Sequence, residues 1–398
     1  MGADNKLARL PEALHGEHVE IILIAPAGSY LLSSKFVDER VELIPQDETE
    51  GWIATVVRNG SFLAGLDVDF FLLGLDALTL AIAQSELPTA VKTRILPMRN
   101  ERALHMVGSK VGLARAMAES LAGGPESRIA HSREEFESIT FDLALPYVVK
   151  GDQGAGGSAV AIIDQRNESI PDSWFPVVIQ EYLPGTEVGV EALFVEGRLA
   201  GWLYSHVVAT VAPKGPSSAR RFVNPPSRDF EEKLNLLGSY GDLHGMFNVS
   251  MMWNPVTRAH SIFEVDARPN VWFQFGRTLG VDWSLLMSKD DARASPLVPP
   301  EGTLIRLFPH EIVAGIREGN IRRLLLWFGS GEGTYGTRNH QDPAVNRHEA
   351  KLVRMAIKER VARVLIAINR KLPAPIASAL KELGIANFVA RMASRPFS

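Results

Sequence analysis

Two apolar, β-rich runs, Leu145-Pro146-Tyr147-Val148-Val149-Lys150 and Ala159-Val160-Ala161-Ile162-Ile163, flank the turn Gly151-Asp152-Gln153-Gly154-Ala155-Gly156-Gly157-Ser158. Glycine reaches positive φ without steric cost, so a turn with four glycines reads as the tip of a hairpin. Such a turn can aim several backbone N–H groups at one anion, and Lys150 sets a full positive charge beside them. The combination suits phosphate groups. It is not a strand–loop–helix phosphate loop, because no Gly-Lys-Ser/Thr follows the glycines and a strand comes next. Read alone, the segment is equally a mobile hairpin tip with a surface lysine.

About a hundred residues on comes the acidic run Ile262-Phe263-Glu264-Val265-Asp266-Ala267-Arg268-Pro269-Asn270. Its β-branched and aromatic positions suit a strand, and the period of two turns Glu264, Asp266 and Arg268 to one face. Two carboxylates on one face repel unless a cation sits between them, and hard oxygen ligands suit Mg2+ bridging to phosphate oxygens. The bland alternative is the solvated face of an edge strand. Between the two pieces, Val177-Val178-Ile179-Gln180-Glu181-Tyr182-Leu183-Pro184-Gly185-Thr186-Glu187-Val188-Gly189-Val190-Glu191 reads as a strand, a sharp turn at Pro184-Gly185, and a second strand with acids at Glu187 and Glu191.

In this order, Pro-x-Val-Val-Lys, a Gly-rich turn, Gln-Glu-Tyr-Leu-x-Gly-x-Glu and Glu-x-Asp-x-Arg, the chain resembles the ATP-grasp superfamily, whose members activate a carboxylate with ATP and pass it to an amine or similar nucleophile. The resemblance implies a nucleotide held between two α+β lobes. Lys150 then matches the lysine at the phosphates and the adenine side, and Gly154, Gly156, Gly157 and Ser158 match the loop that closes over them. Gln180, Glu181, Tyr182 and Leu183 fall on the interlobe segment at the adenine edge, Glu187 on the acid of the ribose hydroxyls, and Lys110 on a basic residue that opens the first helix. Glu264 and Asp266 are the implied metal ligands, for Mg2+ or Mn2+, and Arg268 the neutraliser of the transferred phosphate or substrate carboxylate.

Two departures from the superfamily pattern stand out. Asp266 replaces the usual Asn and remains an oxygen ligand, whereas Ser250, in Gly245-Met246-Phe247-Asn248-Val249-Ser250-Met251, stands where an acid or Gln is usual. A narrower similarity, to uncharacterised bacterial carboxylate-amine ligases, rests on Ala212 to Arg221, Arg268-Pro269-Asn270 and Leu279-Gly280-Val281-Asp282-Trp283. Lys214, Arg220 and Arg221 are candidates for gripping an anionic substrate, since clustered guanidinium groups bind carboxylate or phosphate bidentately. His206 and His244 are candidate bases.

The expected fold is α/β and α+β: a leader over 1–17, a small parallel α/β domain over 18–108, ATP-grasp lobes over 109–176 and 177–292, and a basic, mainly helical region over 293–398. Strand, turn and helix signals from Val19 to Asp76 carry the first domain, and Gly28 and Ser29, at a strand's carboxyl end, are candidate substrate contacts. Helices are expected at Lys110–Leu121, Arg133–Ser138, Phe230–Leu237 and about His348–Lys371. Residues 301–398 hold 16 Lys+Arg against 8 Asp+Glu, and the remainder 26 against 38. In the last helix Val353, Ile357, Val361, Val364 and Ile368 form an apolar stripe, expected to pack on the protein body; a membrane surface or a protein partner is the competing reading.

With 46% hydrophobic and 22% charged residues among 398, the composition is that of an ordinary globular protein. The lack of cysteine excludes disulfides, thiolate metal sites and cysteine nucleophiles. No signal sequence, myristoylation pattern or membrane-spanning run is evident, so a cytoplasmic location is expected. The basic tail lacks a recognition motif of a nucleic-acid binder, so that reading is not favoured. The expected function is an ADP-forming ligase acting on a small-molecule carboxylate and an amine, with a catalytically weak ATP-binding regulator or scaffold as the alternative, motivated by Ser250. A homodimer is allowed, and specificity is unreadable from sequence.

Overall fold

The computed structural model describes residues 7–17, 19–154, 159–166, 168–211, 216–288, 293–328, 334–336 and 341–369. Residues 1–6 of the expected leader, together with Gly156, Gly157, Ser158, Lys214 and everything after Asn369, lie outside the described residues. The chain divides into two compact units, Met1–Val207 with Arg221–Thr303, and Val208–Arg220 with Leu304–Ser398.

In the first unit the elements are, in order, α1 (Leu10–Leu14), β1 (Ile22–Pro26), β2 (Glu39–Leu43), α2 (Trp52–Arg58), α3 (Gly60–Ala64), α4 (Asp76–Gln84), α5 (Thr89–Ile95), α6 (Lys110–Ser120), β3 (Ser127–Ala130), α7 (Arg133–Thr140), β4 (Tyr147–Gly151), β5 (Val160–Ile163), β6 (Val177–Glu181), β7 (Thr186–Val195), β8 (Arg198–Thr210), β9 (Ser217–Phe222), α8 (Asp229–Gly241), β10 (Gly245–Asn254), β11 (Ala259–Asp266) and α9 (Trp283–Ser288). The unit boundary falls within β8, within β9 and between Thr303 and Leu304, one residue into the strand that follows.

β1 and β2 pair in parallel, as the alternating strand and helix signals predict. The extended stretch before α4 does not join them. The Arg94 guanidinium donates to the carbonyls of Leu66 and Val68, and His244 bonds the carbonyl of Asp69, so side chains serve part of the backbone that a ladder would otherwise pair.

β3–β6–β4–β5 form an antiparallel sheet whose inner face buries Ala130, Tyr147, Val149, Ile163, Val177 and Ile179 with Phe136 of α7. The expected hairpin is β4–β5, with Lys150 opposite Val160. β6 belongs to this sheet, so the passage to the next sheet falls at residues 182–185 and not at the expected lobe division before Val177.

The second sheet runs β11–β10–β7–β8. Val188, Val190, Ala192 and Phe194 alternate onto one face with Phe247, Val249, Met251, Trp202 and Tyr204, all buried. Against that face α8 lays Phe230, Leu234 and Leu237, spaced i, i+4, i+7, and α6 lays Leu113, Ala116 and Met117. Phe194 and Phe247 meet edge to face at 5.3 Å. Packing is close enough at Gly112 of α6 that a Cβ there would lie 1.8 Å from the His105 carbonyl oxygen.

The second unit holds β12 (Thr303–Arg306), α10 (His310–Glu318), α11 (Ile321–Phe328), β13 (Thr334–Gly336) and α12 (Pro343–Asn369), with β13 parallel to β12. α12 extends the expected helix by five residues at its start and packs on α10. Its buried side is Val345, Ala356 and Ala362, while Ile357, Val361 and Val364 are 42–47% exposed. Of the expected apolar stripe, these three are thus exposed and Val353 is half-buried, while the side chain of Ile368 lies outside the described residues. The Arg317–Glu359 ion pair at 2.9 Å, partly exposed, also joins α10 to α12.

Candidate functional site

Cross-strand register builds the site in rows. Glu191 of β7 lies opposite Asn248 of β10, which lies opposite Asp266 of β11; two residues along, Gly189, Ser250 and Glu264 repeat the pattern. Paired residues share a face, so Glu264 and Asp266 project together, as the period of two predicts. Directly after Ser250 the register slips, because Met251 faces Ile262 and leaves Phe263 as the extra residue of a β-bulge. The bulge has a use. Lys150, on β4 of the other sheet, donates from Nζ to the Phe263 carbonyl at 3.1 Å and lies 4.9 Å from the centre of its ring. The lysine of the Gly-rich hairpin and the acidic strand, 113 residues apart, thereby meet.

Arg268, beyond the end of β11 and 8% exposed, grips Asp76 at the start of α4 with a two-pronged contact, Nε to Oδ1 and Nη2 to Oδ2 at 2.8 Å. The same Nη2 reaches Asp266 Oδ2 at 3.2 Å. Burial works against the guanidinium's charge, but Asp266, Asp76 and Glu264 outweigh it and hold its pKa above the ordinary value.

Lys110 opens α6. Its Nζ donates to the Gly154 carbonyl at 3.1 Å, and its backbone N–H to the Asp152 carbonyl at 3.2 Å. Asp152 Oδ1 in turn accepts from Ser109 Oγ at 2.6 Å and from the Val111 N–H at 2.9 Å, so the glycine turn caps the helix.

These charges shift one another. Burial, with help from Lys110, lowers Lys150 to about 8 against the pull of Glu264. Burial also lowers Lys110, opposed by Glu264, Asp152 and Asp266. Glu264 as a residue is exposed, yet the protein around it desolvates the carboxyl; that effect first, and Asp266 second, raise its pKa. Glu187, exposed at the start of β7, acts electrostatically on both Lys150 and Glu264.

The other expected site residues are less concentrated. Gln180 is buried and donates from Nε2 to Ser127 Oγ at 3.0 Å, while Glu181 accepts from the Glu126 N–H at 3.1 Å. Tyr182 and Leu183 lie on the strand-to-strand passage. Gly28, at φ +82°, and Ser29 form the turn after β1. Arg220 and Arg221 are successive strand residues that project to opposite faces, Arg220 buried against Ser217 and Arg221 bonded to the Glu301 carbonyl. They do not form a common grip. His206 is half-buried beside Tyr204, and His244 stacks on Phe70 at 4.0 Å.

Solved structures superpose on much of this chain. An ADP complex of N5-carboxyaminoimidazole ribonucleotide synthetase superposes with a TM-score of 0.55 at 14% identity, covering 87% of this chain and 93% of that one. The fold is the ATP-grasp fold. Biotin carboxylase from Campylobacter jejuni has a TM-score of 0.52 at 11% identity, covering 73% of this chain and 69% of its own, and phosphoribosylamine–glycine ligase from Thermotoga maritima 0.50 at 17%, covering 74% and 75%. No family model matches the sequence, and neither does any curated protein.

On the ATP-grasp framework the residues that sequence reasoning left without a role are Asp76, Asp152, Glu191, Asn248 and Asn270. Asp152 lies inside the quoted turn, and Asn248 stands one strand period from Ser250, so both carried a local signal. Asp76 carried none, being 192 residues from the arginine it pairs with. Among the described residues no three His, Asp or Glu side chains gather as a ready metal cluster, and no helix is long and apolar enough to cross a membrane.

Proposed function

We propose that the chain is an ATP-dependent ligase that activates a small-molecule carboxylate as an acyl phosphate and transfers it to an amine, releasing ADP and phosphate. The observation that carries this reading is the contact of Lys150 with the Phe263 carbonyl, next to Glu264 on the strand that also carries Asp266 and leads to Arg268, on an ATP-grasp fold. Two carboxylates on one face, one of them with a raised pKa, fit a divalent cation whose remaining ligands are phosphate oxygens and water. Glu264 and Asp266 would hold Mg2+ or Mn2+, which when bound supplies neutralisation of phosphate charge. Lys150 and Lys110 bind and orient the phosphates, and Arg268 neutralises the carboxylate or the transferred group.

In the first step a carboxylate oxygen attacks the γ-phosphorus and the bond to the β-phosphate oxygen breaks, giving ADP. In the second the amine nitrogen attacks the acyl carbon, phosphate departs with the C–O bonding pair, and the nitrogen gives up a proton.

Ser250 opposite Glu264 favours one rival, an ATP-binding protein with little turnover. The deciding assay offers pools of amino acids and small carboxylic acids with MgATP and measures ADP release, followed by mass analysis of products. Release that is lost in Glu264→Gln and Lys150→Ala supports the ligase. Nucleotide binding without release under every pool supports the rival.

A further inference from the structure

Asp266 does not stand alone at the end of β11. Its Oδ2 accepts from Asn248 Nδ2 at 2.9 Å as well as from Arg268. Asn248 Oδ1 accepts from Asn270 Nδ2 at 2.7 Å, and the same Nδ2 donates to Glu191 Oε1 at 3.0 Å. Asn270 Oδ1 accepts the Trp272 backbone N–H at 2.9 Å. Hydrogen-bond logic runs through this chain in one direction. The Trp272 N–H demands the oxygen of Asn270, which turns its amide nitrogen toward Glu191 and Asn248; Asn248 must then present oxygen to Asn270 and its nitrogen to Asp266. Glu191 is fully buried and Trp272 is 2% exposed, so the far end of the chain is anchored in the core.

We propose that Asn270 is a positioning residue for Asp266. Through Asn248 it fixes the rotation of the Asp266 carboxylate, and with it the direction in which that group meets a cation–phosphate complex. The proposal rests on the ligase reading, in which Asp266 is a cation ligand. It explains how an aspartate works where the superfamily pattern has a neutral Asn: the neighbouring Asn248 supplies the amide donor that restrains it, in the same row of the sheet.

The test compares the full chain with Asn270→Ala and Asn248→Ala, using manganese as the probe cation. ADP affinity is measured with Mn2+ and again in EDTA, with the manganese environment followed by electron paramagnetic resonance. The expected result is a loss of about tenfold or more in the Mn2+-dependent part of the affinity, a changed manganese spectrum, and an unchanged affinity in EDTA. An equal loss in EDTA, or full retention with Mn2+, overturns the proposal. Should Asn270→Ala fail to fold, Asn270→Ser keeps an oxygen for the Trp272 N–H while removing the amide, and the same outcomes apply. A wild-type chain that binds no ADP overturns the nucleotide reading instead. A crystal structure of the variant then judges the positioning claim separately: an Asp266 carboxylate turned or split between orientations supports it, and one held as in the wild type refutes it.

Discussion

Lys150 shows how one side chain is tuned by where the chain places it. With a pKa near 8 it is mostly charged at neutral pH and loses its proton as the pH rises further. If it binds phosphate oxygens, ADP affinity should hold from pH 6.5 to 7.5 and fall between 8 and 9.5, measured by calorimetry. Lys150→Arg, whose guanidinium keeps its charge, should remove the fall. The residues at this site differ in how legible they were. Lys150 stands beside a glycine-rich turn, and Glu264, Asp266 and Arg268 alternate along one run, so each carried a local signal. Asn248 and Glu191 lie on ordinary strands and are brought opposite by register, and Asn270, beyond β11, joins them only through side-chain hydrogen bonds.

Between elements, the passage from β6 to β7 turns on Gly185 at φ +144°, where a Cβ would lie 2.1 Å from the Trp253 carbonyl oxygen. No flexible side-chain end can yield there, because the obstructing atom is backbone. Gly185→Ala should lower stability by roughly 2 kcal/mol or more, read as a drop in denaturant midpoint. A second joint is internal. His260, fully buried on β11, donates from Nδ1 to Asp229 Oδ1 of α8 at 2.6 Å, so its neutral ring accepts at Nε2 from Tyr204 Oη of β8 at 3.0 Å, and its backbone N–H donates to Asp229 Oδ2 at 2.8 Å. Asp229→Ala should strand these polar groups and cost about 1–3 kcal/mol while leaving nucleotide affinity unchanged, measured by chemical denaturation and ADP titration. The elements were easier to read than the joints. α6, α7 and α8 follow from 3.6-residue patterning, but the exposed stripe of α12 shows that periodicity names an apolar face without naming the face that is packed.

For the molecule as a whole, pH sets stability through groups kept neutral in the interior. His244 is held down to about 4, by burial first and by Arg99 second, and burial also lowers His260. Above pH 6.5 the folded and unfolded chains both carry His244 uncharged and nothing is lost. Between 6.5 and about 4 the unfolded chain takes a proton that the native state refuses, so stability should decline through that window, by at most about 3 kcal/mol for this residue. Denaturant midpoints from pH 7.5 to 4.5 check this, and His244→Gln should flatten the decline. Charge is also unevenly spread along the chain, with 16 Lys+Arg against 8 Asp+Glu from 301 to 398. In the second unit part of it is internal: Glu311, 1% exposed, lies between Arg306 at 3.1 Å and Arg323 at 2.8 Å, so the basic excess of this region is not all surface.

By itself the sequence determined the local alternatives: a glycine hairpin in place of a helix, carboxylates on one side of a strand, and apolar spacings that make sheets and helices. Those follow from steric and periodic rules acting over a few residues. Tertiary structure alone decided that the bulge at Phe263 would meet Lys150, that Arg268 would close on Asp76, that Arg220 and Arg221 would part to opposite faces, and that Val345, Ala356 and Ala362 would be buried in α12 while Ile357 and Val361 stay exposed. Such contacts depend on sheet register and on which faces bury most completely, quantities fixed only when the segments pack together.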